Sequence, residues 1–136
     1  MRPKKSWVYS PPKPAKPKLP DEVKQQVQTE AERLIEAFKP KYIEHPEGEP
    51  QFNYIVNLYT KWYQSYLYLC ATYACPGPDA LYPSFEAPFT RLEYAGENLF
   101  HLAYMRHTGK WWEVHRELSL EEAIAIIRDE TLYHPR

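Results

Sequence analysis

From Asp21 onward, apolar side chains recur at helical spacing. Val23, Val27, Ala31, Leu34, Ile35 and Phe38 form one stripe, while Glu22, Lys24, Gln25, Gln28, Glu30, Glu32, Arg33 and Glu36 fill the other side. Pro20 and Asp21 suit a helix start and Pro40 suits its end, so the pattern predicts a helix over 21–38. Residues 39–51 carry three prolines and Gly48 and read as a connector, with a short strand at 42–45. Two runs rich in Tyr, Val, Ile and Leu follow, at 52–59 and 65–73, and both read as strands. The join near 60–64 lacks Gly and Asn, so its turn type stays open. An irregular link then carries Cys75-Pro76-Gly77-Pro78 and Leu81-Tyr82-Pro83.

The last third alternates strands and turns: a strand at 85–94, a turn at 95–98, a strand at 99–106, a turn at Thr108-Gly109, and a strand at 111–115. The tightest pairing at each turn sets Leu92 against His101 and Met105 against Trp112. One face then holds Thr90, Leu92, Tyr94, Leu99, His101, Ala103, Met105, Trp112 and Val114, and is expected to pack on helices. The other holds Phe89, Arg91, Glu93, Phe100, Leu102, Tyr104, Arg106, Trp111, Glu113 and His115. A slip of one residue would exchange these sets. Ser119-Leu120-Glu121-Glu122 is a capping box, and Leu120, Ala123, Ile124 and Ile127 give the following helix, 120–129, one apolar stripe. The expected fold class is α+β: a five-stranded antiparallel meander sheet with an N-terminal and a C-terminal helix packed on one face.

Charge changes the picture at the N-terminus. Residues 1–20 carry six prolines, six Lys/Arg and no acid, whereas the rest of the chain carries 11 Lys/Arg against 18 Asp/Glu. A net charge of −1 therefore hides an arm of +6 before a body of −7. Such an arm cannot bury a core of its own. Residues 1–20 are read as a basic, proline-rich extended arm and 21–136 as a single α+β domain. Pro11, Pro14, Pro17 and Pro20 are spaced by three, the repeat of a polyproline II helix. Lys4, Lys5, Lys13, Lys16 and Lys18 offer the arm's charge, and Trp7 and Tyr9, with Val8 between them, its large apolar side chains.

Of 21 aromatic residues, 16 lie between Phe52 and Trp112, and tyrosine suits half-exposed sheet positions. The cysteines Cys70 and Cys75 flank an extended stretch spanning roughly 16 Å, too long for a disulfide. A reduced compartment follows. Prolines occupy the stretch where a signal peptide needs an apolar core, and no apolar run reaches membrane-spanning length, so a soluble, cytoplasmic protein is expected.

No motif carries chemistry. The four glycines fall in turns or connectors, leaving no phosphate cradle, and no zinc-protease, nucleophile-elbow or Cys-x-x-Cys pattern occurs. A zinc set drawn from Cys70, Cys75, His101 and His107 lacks the spacing of a structural zinc motif. No metal and no cofactor are expected, and the chain is read as non-enzymatic before it is read as an enzyme. What remains is binding surface. Arg91, Tyr104, Arg106 and Trp111 mix rings with cations on one sheet face, with Arg106 expected across from Trp111, as in single-strand nucleic-acid binders. Arg91, Glu113 and His115 form a candidate acid/base cluster on the same face. The first expected function is a non-catalytic binding or accessory protein using the arm, this face, or both, with protein as partner. A nucleic-acid-associated protein, binding through the arm, is the alternative. A small-molecule enzyme on the Arg91/Glu113/His115 face comes third.

The segments Arg91-Leu92-Glu93-Tyr94, Ala103-Tyr104-Met105-Arg106-His107-Thr108-Gly109-Lys110-Trp111-Trp112 and Leu118-Ser119-Leu120-Glu121-Glu122 resemble small bacterial proteins known only as hypothetical, of unassigned function. That resemblance implies a bacterial source and carries over no mechanism and no site residue.

Overall fold

The computed structural model describes residues 16–48 and 50–135. Lys4, Lys5, Trp7, Tyr9 and Lys13 lie outside the described residues. The elements run α1 (Asp21–Tyr42), β1 (Tyr54–Tyr63), β2 (Tyr66–Ala74), β3 (Ser84–Gly96), β4 (Leu99–Met105), β5 (Trp111–Leu118) and α2 (Leu120–Asp129), closed by a 3-10 turn at Thr131–Tyr133. The strands form one antiparallel sheet in the order β1-β2-β3-β4-β5, the expected meander. Among the described residues, no helix is long and apolar enough to cross a membrane.

The helix stripe behaves as its spacing demands: Val27, Ala31, Leu34, Ile35 and Phe38 are buried on α1. Gln28, from the polar side, is tied to the sheet. It accepts a hydrogen bond from Trp62 Nε1 at 2.6 Å and donates to Thr60 Oγ1 at 3.0 Å, fixing α1 on β1. The helix also runs through Pro40, where the sequence predicts its end. Pro40 sits in the last turn, and tertiary contacts hold that turn in place. Tyr42 packs edge-on against Phe38 at 5.7 Å and hydrogen-bonds His134. The strand expected at 42–45 is absent from these described residues. Only Glu44 N–H reaches β1, donating to Ile55 O at 3.0 Å.

The β1–β2 join is a tight hairpin with Tyr63 opposite Tyr66, and Gln64 takes a φ of 53° without a glycine. The next hairpin corrects the predicted register. Glu97 and Asn98 both have positive φ, 52° and 59°, and Gly96 at 89° closes a bulge between Tyr94 and Gly96. That extra residue sets Leu92 opposite Leu102 and Glu93 opposite His101. At the β4–β5 turn, Met105 faces Trp111 and Tyr104 faces Trp112. The slip turns β4 over. Phe100, Leu102 and Tyr104 enter the core, while His101, Ala103 and Met105 move to the face away from the helices. On β3, Thr90, Leu92 and Tyr94 are buried as expected, but Phe89, expected on the other face, joins the core as well, because the register with β2 shifts between Leu69 and Cys70 and leaves Phe89 at a bulge.

The α2 cap forms as read. Ser119 Oγ accepts from Glu122 N–H at 3.1 Å, and Glu122 Oε1 accepts from Ser119 N–H at 3.0 Å. Ser119→Ala is expected to destabilise the protein by about 1 kcal/mol. The backbone and then the hydroxyl of Ser119 hold the Glu122 carboxyl below its usual range. The depressed value means this contribution is complete above the unfolded carboxylate range and fades as pH falls through the lowered one. Urea melts across that window check it: the gap between wild type and Ser119→Ala should narrow in acid.

Candidate functional site

Strand alternation divides the sheet into a helix-covered side and an open side. On β2, Leu67 and Leu69 go inward and Tyr66 and Tyr68 outward. On the open side Tyr66 pairs with Glu93, Tyr68 with Arg91, Glu93 with His101, Arg91 with Ala103, and Ala103 with Glu113. The Arg91 guanidinium carbon lies 5.2 Å from the ring centres of both Tyr66 and Trp111. Tyr68 lies 5.5 Å from Trp111 and stacks on Tyr66 at 6.2 Å. These side chains roof Ala103, which is 1% exposed although no helix covers it. The result is a shelf of three rings with a cation set among them.

Acids share the shelf. Glu113 Oε2 is 3.9 Å from Arg91 Nη2, and its Oε1 forms an ion pair with Arg116 Nε at 2.8 Å. Ligand-type atoms of Glu93, His101 and Glu113 lie within 4.8 Å of one another. His101 Nδ1 accepts from Glu117 N–H at 3.1 Å, so a neutral ring carries its proton on Nε2. Both Glu113 oxygens already face guanidinium groups. The trio therefore reads as part of a charge network, in which Glu113 is ion-paired with two arginines and His101 Nδ1 is hydrogen-bonded.

Three expected members leave this face. Tyr104 is buried on the helix side, edge-on to Tyr133 at 6.0 Å. The Arg106 guanidinium covers Trp112 at 3.6 Å; Trp111 is the ring it was expected to meet. His115 parts from Glu113 because a bulge intervenes: Glu113 faces Ala103, but His115 faces Leu102. Its Nδ1 meets the Tyr133 hydroxyl at 2.6 Å beneath the sheet. Arg91, Glu113 and Trp111 remain together. Lys16 joins them from outside the sheet, donating to Tyr66 Oη at 2.7 Å with its ammonium 4.7 Å from the ring centre. Lys18 is exposed. Tyr66 and Tyr68 were not singled out from the sequence, although the alternation Tyr66-Leu67-Tyr68-Leu69 carries the signal.

A family model described as a domain of unknown function, DUF3024, matches residues 19–134. The chain belongs to the DUF3024 family. No curated protein and no solved structure matches it. The DUF3024 stretch contains every open-face residue named above except Lys16, and it runs to His134, past the end of α2.

Two further features of this DUF3024 chain bear on chemistry. A cavity of about 620 Å³ opens at the far end of the sheet, lined in part by Lys41, Tyr42, Tyr73, Phe85, Arg106 and His134. His134 is committed there to structure, with Nε2 2.8 Å from Ile127 O and 2.9 Å from Arg128 O. Both cysteines are free thiols. Burial pushes the Cys70 thiol up to about 11, and the residue is only 4% exposed. In the native protein, iodoacetamide is expected to modify Cys75 at least roughly tenfold faster than Cys70. Peptide mass mapping checks this, and equal rates would mean that β2 opens readily.

Proposed function

We propose that this chain is a non-catalytic binding protein whose ligand surface is the open face of the sheet. The observation that carries this reading is the shelf itself: Arg91 lies among Tyr66, Tyr68 and Trp111 on a face without helix cover. Large rings and a guanidinium left on a surface are the composition of binding hot spots. A shelf suits an extended polymer better than a small molecule, which favours concave sites.

Extended polypeptide is favoured over nucleic acid. Glu93 and Glu113 stand in the same face, and the chain outside residues 1–20 is net −7; both oppose a phosphate backbone. The enzyme reading loses its support, because its histidine, His115, faces the helices.

The test uses full-length protein and two probes, a lysine-containing oligoproline peptide and a ten-nucleotide oligothymidine. The peptide is expected to shift the Trp111 indole resonance. Trp111→Ala should weaken its binding, measured by fluorescence anisotropy, by about tenfold or more, roughly 1.4 kcal/mol. The melting temperature should stay nearly unchanged, since Trp111 packs on the surface. Tighter binding of oligothymidine with a steep salt dependence would replace the polypeptide reading with the nucleic-acid one.

A further inference from the structure

A second hollow lies away from the open face. The cavity of about 620 Å³ opens at the end of the sheet where α1 stops at Tyr42. Its volume falls within the roughly 300–1,000 Å³ of clefts that take small molecules. Tyr73 and Phe85 stack at 5.0 Å with their planes 9° apart, and both line the cavity. Ala87 lies opposite Ala71, the pair next inward on the same face, and these two small side chains leave room beside the rings. Phe85 is 42% exposed, so a large apolar ring remains available to a ligand. Alternation puts Tyr73 on the side of β2 opposite Tyr66 and Tyr68, and the cavity is therefore separate from the shelf.

The charges around the cavity run against those of the body. Lys41, Arg106 and His107 line it with a single acid, Glu44, although the chain outside residues 1–20 is net −7. Among the described residues none of these three bases forms an ion pair. Lys41 stands in the last turn of α1, where it and Lys39 offset the partial negative charge of the helix end. Arg106 and His107 enter from the β4 side. The Arg106 guanidinium lies 3.6 Å over the Trp112 ring, a contact that leaves its in-plane N–H donors open to a carboxylate. β3 and β4 pair last at Thr90 and Tyr104, so Arg106 runs on beside Pro88. Phe85 stands three residues beyond Pro88, about 10 Å along β3. That separation matches a two-ring aromatic acid measured from its carboxylate to its far edge.

We propose that this cavity is a second binding site, and that its ligand is a small aromatic carboxylate. The rings lie against Tyr73 and Phe85, and the carboxylate is held by Arg106 and His107.

The test titrates the full-length chain by calorimetry with three probes: 2-naphthoate, the neutral 2-naphthalenemethanol and decanoate. Backbone amides are followed in parallel by ¹H–¹⁵N spectroscopy. 2-Naphthoate is expected to bind with saturation and to move the amides of Tyr73, Phe85 and Arg106, leaving those of Tyr68 and Trp111 in place. Arg106→Gln should weaken it at least about tenfold, and Phe85→Ala about fivefold, whereas Glu44→Gln should not weaken it. The order of the three probes on the unsubstituted chain decides the ligand class even where a variant unfolds. Equal affinity for 2-naphthalenemethanol would overturn the carboxylate assignment, and tighter binding of decanoate the aromatic one. Shifts centred on Tyr68 and Trp111 would move the aromatic acid to the open face and overturn the second site. Absence of saturable binding by all three probes would overturn it as well, with the oligoproline test of the open face unaffected.

Discussion

Tyr133→Ala is expected to destabilise the protein by about 3–5 kcal/mol, the range for deleting a buried aromatic ring. Tyr133 lies beyond α2, in a region where the sequence pattern predicts no element, yet it is 0% exposed. Its ring is edge-on to Tyr104 at 6.0 Å and 5.8 Å from His115. Its carbonyl accepts from Thr90 Oγ1 at 2.7 Å, satisfying a threonine buried in the middle of β3. Burial raises the Tyr133 hydroxyl above the usual tyrosine range, so it stays protonated, and it shares a hydrogen bond with His115 Nδ1. Tyr133→Phe keeps the ring and removes that hydrogen bond, and should cost about 1 kcal/mol. Urea denaturation of the two variants separates packing from hydrogen bonding. Losses below about 1 kcal/mol for both would mean that the segment after α2 contributes little to the core.

Leu102→Ala is expected to cost about 2–5 kcal/mol, and His101→Ala less than about 1 kcal/mol. Leu102 is 0% exposed on β4 and belongs to the core cluster. His101 is half-buried on the open face and accepts one hydrogen bond, from the amide of the exposed Glu117. The tightest hairpin pairing makes the opposite forecast, with His101 inward and Leu102 outward. Equilibrium melts of the two variants therefore decide the register directly. A larger loss for His101→Ala would restore the slipped arrangement.

The elements were legible because their signals are local. The α1 stripe, the Ser119–Glu122 capping box, the Gly109 turn and the alternation of leucine with tyrosine on β2 lie within a few residues of one another. Arg91, Trp111 and Glu113 were also placed on a common face, since β3 from Thr90 to Tyr94 and the start of β5 follow simple alternation. Tyr104, Arg106 and His115 were misplaced because two bulges, one before Gly96 and one after Glu113, each add a residue to one strand only. A bulge reverses which residues share a face, and its residues need no special composition.

By itself, the sequence determined the α+β meander, the position of both helices, and the separation of a basic proline-rich arm from an acidic body. Period and charge are properties of neighbouring residues, and they survive without knowledge of what packs where. Only the tertiary structure decided which side of β4 is buried, and that Tyr133 and His134 close the core. It also decided that Tyr66, Tyr68, Arg91 and Trp111 meet on the open face, with Lys16 at its rim. Those outcomes depend on register across strands far apart in sequence. There, a single extra residue at a turn outweighs the local pattern, because burying Leu102 and Phe100 is worth more than keeping the tightest hairpin.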